Sequence, residues 1–197
     1  MYADIVYWSI DALKKHQLLA PLNLKIQDNL EQVNVISMQQ GTLSSMQENE
    51  QIELIESLTN TIYPLYFYIQ MPDIYLEEFE LLFNTHQNEY AIAGEIETNY
   101  FLTLKVQDCA NLKIIIKEVA WLNGSGYKLL WSTSPTVFNS QGNRNGDLIM
   151  GENQSIFMIG EPEDSLIIIT NEHRFNSFEK LKELLPSFVV PTLYEHN

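Results

Sequence analysis

Asn99-Tyr100-Phe101-Leu102-Thr103-Leu104-Lys105-Val106 is the stretch on which the fold class turns. Tyr100, Leu102, Leu104 and Val106 alternate with Phe101, Thr103 and Lys105, the period of two that a strand with one buried face requires. Downstream, Leu112, Ile114 and Ile116 alternate with Lys113, Ile115 and Lys117 and predict a second strand. Asn123-Gly124-Ser125-Gly126 then predicts a hairpin turn into a strand over 127–133. Further strands are expected near 147–150, 155–160 and 165–170. The last belongs at the centre of a sheet, because Leu166-Ile167-Ile168-Ile169 is apolar on both faces. Asn176, with Glu179 three residues on, predicts a capping box for a closing helix to about residue 185, before Pro186.

Upstream of the quoted stretch the periodicity is helical. Pro72-Asp73 opens a helix with Tyr75, Phe79, Leu82, Phe83 and His86 on one stripe. A strand is expected at 65–69, preceded by a helix over about 50–62 with Ile52, Ile55, Thr59 and Ile62 on one face and Pro64 after it. Residues 33–38 read as a strand, and Ser9 as the N-cap of a helix over 10–20 that Pro21 ends. The composite is an α+β chain: N-terminal helices followed by a mainly antiparallel β-sheet and a C-terminal helix. With 197 residues and no repeat or long linker, it is expected to form a single domain over 1–197, with a core that needs no covalent staple.

Cys109 is the only cysteine, which excludes an intramolecular disulfide and points to a reducing compartment, the cytoplasm. Asp4 stands where an export signal carries basic residues, and no apolar run approaches the ~20 residues of a membrane span.

Chemistry-bearing motifs are sparse. His16, His86, His173 and His196 are not spaced as metal ligands, and no cofactor is expected. His86, on an apolar stripe, reads as a core or boundary histidine. Glu172-His173-Arg174 follows the most apolar strand, a position that catalytic groups favour, but polar residues filling a strand-to-helix loop, with His and Arg placed for solvent, account for it better. Cys109 has no neighbouring cation in sequence to lower its pKa, so it reads as inert. Glycine-rich phosphate motifs are absent, and the polar segment 139–146 reads as a surface connection or a binding loop.

Charge is the strongest signal. No Lys or Arg occurs between Lys25 and Lys105, a span that contains 13 of the 26 acids and nearly all of the net charge of −15. Glu50, Glu53 and Glu56 recur at three-residue spacing on one expected helix, and Glu77, Glu78 and Glu80 crowd the next. Direct nucleic-acid binding requires clustered Lys and Arg, and an anionic membrane surface does too, so both are disfavoured. An acidic face suits a basic protein partner. The expectation is a cytoplasmic inhibitor of the bacterial immunity type, neutralising a basic, nuclease-like toxin through those six glutamates. The alternatives are a hydrolase assembled from scattered carboxylates and His173, and an oligomeric assembly or scaffold subunit. A deep pocket with converging polar groups would favour the enzyme, and a long exposed apolar patch the subunit.

Overall fold

The computed structural model describes residues 1–9, 22–26, 33–39, 46–96, 98–119, 122, 125, 127–141, 145–160 and 165–194. The helix expected over 10–20 lies outside them. The chain opens on a strand, so helices do not come first: β1 (Tyr2–Trp8) buries Ala3 and Ile5, with β2 (Leu22–Ile26) and β3 (Asn34–Gln39) following. Next come α1 (Glu48–Leu58), β4 (Leu65–Pro72), α2 (Leu76–Thr85), β5 (Glu89–Ile96) and β6 (Asn99–Val106). The remainder is α3 (Cys109–Val119), β7 (Leu129–Ser132), β8 (Val137–Gln141), β9 (Asn145–Met150), β10 (Ser155–Gly160), β11 (Ser165–Thr170), α4 (Phe178–Leu184) and β12 (Val190–Leu193). The class is α+β.

Nine strands form one sheet in the order β12-β1-β3-β11-β10-β7-β4-β6-β5. All its pairings are antiparallel except β1 with β12. A three-stranded sheet, β2-β9-β8, stands apart from it, and β8 packs near β5. The strand alternation divides the core. Ile5, Ile36, Phe67, Leu104, Trp131, Phe157 and Ile168 join the buried faces of the helices, while Val35, Tyr68, Phe101, Leu130, Met158 and Ile169 form a second cluster with Met150 of β9. At the centre Phe67, Trp131 and Phe157 lie opposite one another on β4, β7 and β10. Their rings stack at 5.9 and 5.5 Å between centroids. β11 is buried at every position and lies inside the sheet, as its two apolar faces require.

The stretch expected as a second strand of the sheet is helix α3. The run Ile114-Ile115-Ile116 satisfies both periods. What decides is that Leu112, Ile115, Ile116 and Val119, at helical spacing, are the buried residues, and Ile114 is only half-buried. Asp108 starts the helix: its carboxylate accepts the Asn111 backbone N–H at 2.8 Å, and its carbonyl accepts that of Leu112 at 3.0 Å. The 123–126 stretch therefore links a helix to β7 rather than two strands, and within it only Ser125 is described. The other expected burials agree: Leu102, Leu104, Ile116, Ile167 and Ile168 are all in the core.

Smaller corrections have equally local causes. α1 stops at Leu58, because Asn60 and Thr61 take left-handed φ values of 57° and 54°, and Ile62 is left exposed. The closing helix is capped by Ser177 instead of Asn176, whose amide is bonded to the His173 ring. Both ends of segment 139–146 are strand, since Asn139, Ser140 and Gln141 pair with Asp147, Gly146 and Asn145 in the β8–β9 pair; residues 142–144 lie outside the described residues. Just before β10 the buried Gln154 amide ties the β7–β8 connection to the β9–β10 connection. It donates to Ser132 Oγ and Thr136 Oγ1 and accepts from the Gly151 N–H.

Candidate functional site

The six glutamates singled out by sequence sit on α1 and α2, neither of which contains Lys or Arg. Each helix buries one face: Ile52, Leu54, Ile55 and Leu58 on α1, Phe79 and Phe83 on α2. Packing therefore turns the acids outward. Glu53, Glu77 and Glu78 are exposed, whereas Glu50, Glu56 and Glu80 are half-buried. Glu50 is partly committed to the fold, because its carboxylate accepts the Gln47 backbone N–H at 2.9 Å in a capping box. Glu77 and Glu78 lie in the first turn of α2, where the helix dipole offsets part of their mutual repulsion.

Ion pairs among the described residues join Lys105 to Glu89 at 2.9 Å, Lys117 to Glu118 at 3.2 Å and Arg174 to Glu172 at 2.7 Å. None of them uses one of the six. α3 packs against α1 and carries Lys113 and Lys117 on its exposed side, so the α1 acids have cations nearby without being bonded to them.

Glu56 has a separate task. Tyr63 donates its hydroxyl to Glu56 Oε1 at 2.8 Å, and Cys109 lies close enough to feel the charge of this carboxylate. Burial, then Glu56, push the Cys109 thiol up from its ordinary range, and the same two causes raise Tyr63. Cys109 is the first residue of α3, a place that favours a thiolate, yet burial and the Glu56 charge act in the opposite direction.

His173 lies exposed in a single helical turn after β11. Its Nδ1 faces Asn176 Nδ2 at 2.7 Å and Lys180 Nζ at 3.0 Å, both donors, and Glu172 is occupied by Arg174. Among the described residues the ring nitrogen thus meets two donors, and the neighbouring carboxylate is engaged elsewhere. His86, expected at a core boundary, is exposed at the C-terminal end of α2. Among the described residues no three His, Cys, Asp or Glu side chains stand together as a metal site, and no helix is long and apolar enough to cross a membrane.

What sequence reasoning missed is apolar. Leu81 on α2 and Ile74 just before it are 69% and 81% exposed. Ile74 belongs to the single 3₁₀ turn, Asp73–Tyr75, that runs into α2, so the two exposed residues stand seven apart along that turn and the helix. Beside Leu81 runs an open groove of about 290 Å³, lined by Glu78, Phe79, Leu81, Leu82 and Thr85 of α2 and by Glu118 of α3. The signal was present in the sequence, since neither residue falls on the Tyr75–Phe79–Leu82–Phe83 stripe that buries the helix. A shallow, mostly apolar groove edged by carboxylates suits a side chain of another protein better than a small substrate.

No family model, curated protein or solved structure matches the chain.

Proposed function

We propose that the protein is a cytoplasmic, protein-binding inhibitor of the immunity type, which neutralises a basic, nuclease-like bacterial toxin by covering its anion-binding site. The observation that carries this reading is the outward acidic surface of α1 and α2: Glu53, Glu77 and Glu78 are exposed, and neither helix has a basic residue. Such a surface accelerates encounter with a positively charged partner and occupies the cations that would otherwise hold phosphate. Glu50, Glu56 and Glu80 contribute their charge from half-buried positions.

The test is inhibition of purified basic nuclease domains, beginning with any encoded beside this chain. Stoichiometric inhibition is expected, with an association rate that falls steeply with salt and slows in Glu53→Lys, Glu77→Lys and Glu78→Lys. Inhibition that ignores both salt and these reversals would overturn the reading, as would an absence of inhibition across the panel.

One observation favours a second reading, the assembly subunit. Tyr2, Val190, Leu193 and Tyr194 are all exposed along the β1–β12 edge of the large sheet. An apolar sheet edge is a template for another strand, although Pro191 removes one donor from it. Sedimentation at increasing concentration distinguishes the two readings: a stable oligomer that Leu193→Lys dissolves would support the subunit.

A further inference from the structure

We infer that the groove between α2 and α3 is the seat of an amphipathic, Lys/Arg-rich helix of the partner, with apolar side chains on Ile74 and Leu81 and cations on the surrounding glutamates. This inference rests on the reading of the acidic face as a partner surface and adds the kind of segment that it takes.

Three features of the site define that segment. First, Ile74 and Leu81 leave most of their apolar surface in water on a turn and helix whose other outward residues are polar, so the pair is a place to dock and not part of this chain's core. Second, the groove beside Leu81 is deepened by Phe79 and Leu82, whose buried sides belong to the core, so its floor is rigid. Third, its borders are anionic. Glu78 lines it on α2, with the exposed Glu77 beside it in the first turn, and Glu118 lines it on α3, sharing its charge with Lys117.

Two residues seven apart along such a turn and helix stand roughly 10 Å apart along the axis, about two turns. A docking helix of similar pitch presents apolar anchors at i and i+7, or at i, i+3 and i+7, to match them. Its flanking positions then meet Glu77 and Glu78 and must be cationic. A second copy of this chain is a poor occupant, since each carries a net −15. An anionic membrane is repelled in the same way.

The test uses three labelled peptides against the full chain at low salt: an amphipathic Leu/Lys helix of about five turns, a scramble of the same composition that scatters the leucines, and oligolysine of equal length. The aligned helix should bind about ten-fold tighter than its scramble, the effect expected from burying one further leucine. Leu81→Asn and Ile74→Asn should each remove most of that advantage while their melting curves overlay the parent's. Glu78→Lys should weaken all three peptides.

If all three peptides bind alike and Leu81→Asn changes nothing, the groove is overturned while the acidic-face reading stands. If none binds, that reading fails as well. If Leu81→Asn dissolves a dimer of the parent chain, a second copy takes the groove and the inference is overturned.

Discussion

Reversing Glu53 should make the protein more stable while making it a worse partner. Glu53 is exposed at the middle of α1, three residues after Glu50 and three before Glu56. A like-charge pair at that spacing costs roughly 0.2–0.5 kcal/mol, and an opposite-charge pair returns a similar amount. Glu53→Lys changes the sign of two such pairs, which sets an upper figure of about 1–2 kcal/mol. Glu56 is turned toward Tyr63 and Cys109, and solvent screens the outer pair, so about 0.5–1 kcal/mol is the realistic gain. The dipole contributes little, because position 53 is far from both ends of the helix. For a chain of this size the melting temperature should rise by about 1–4 °C at low ionic strength. Urea and thermal unfolding in low and in ~1 M salt test this, and the gain should shrink as the Debye length falls to about 3 Å. Glu53→Gln should show roughly half the effect, since it removes repulsion without adding attraction. A variant that gains stability but associates more slowly with a basic partner would show that the acids are held against the interest of the fold. A variant that is less stable, or whose gain is indifferent to salt, would refute the premise that these carboxylates repel one another.

Stability should fall as pH rises above about 9. Burial raises Tyr7 to about 12 and also raises Tyr63, Tyr68 and Cys109, whose ordinary values are 10.0 for the phenols and 9.0 for the thiol. The unfolded chain therefore loses protons that the folded chain retains, and urea midpoints should be flat below pH 8.5 in this respect and drop beyond it, less so in Tyr63→Phe. Cys109 should react with an uncharged disulfide reagent far more slowly at pH 7.5 in the native protein than in urea, and Glu56→Ala should speed the native reaction; equal native rates in the two proteins would show that the carboxylate does not hold the proton. Asp108→Ala should destabilise the protein by about 1 kcal/mol and Asp108→Asn by much less, because Asn caps a helix nearly as well. Equal losses in the two variants would remove the cap as the reason that α3 begins where it does.

The sequence by itself determined the elements whose periodicity has one solution. β6 alternates, β11 carries the unbroken apolar run Leu166-Ile167-Ile168-Ile169, and α2 carries the Phe79–Phe83 stripe behind Pro72-Asp73. In each case the local period admits only one element type, so no knowledge of neighbours is needed. The positions of the charges were legible too, since the outward face of a helix follows once its buried face is known.

Only the tertiary structure decided the rest. Residues 109–119 satisfy a strand and a helix alike, and the choice fell to the Asp108 cap and to a surface over the sheet that accepts Leu112, Ile115, Ile116 and Val119 together. The order β12-β1-β3-β11-β10-β7-β4-β6-β5 joins strands far apart in sequence, and backbone pairing carries no side-chain label that local reasoning can read. The candidate site divides in the same way. Glu53, Glu77 and Glu78 could be placed from spacing alone. The diversion of Glu56 to Tyr63 and Cys109, and the groove that Glu118 completes beside Leu81, exist only because α3 was laid against its neighbours. Contacts between side chains on separate elements depend on how those elements pack, and packing is settled by the whole core at once.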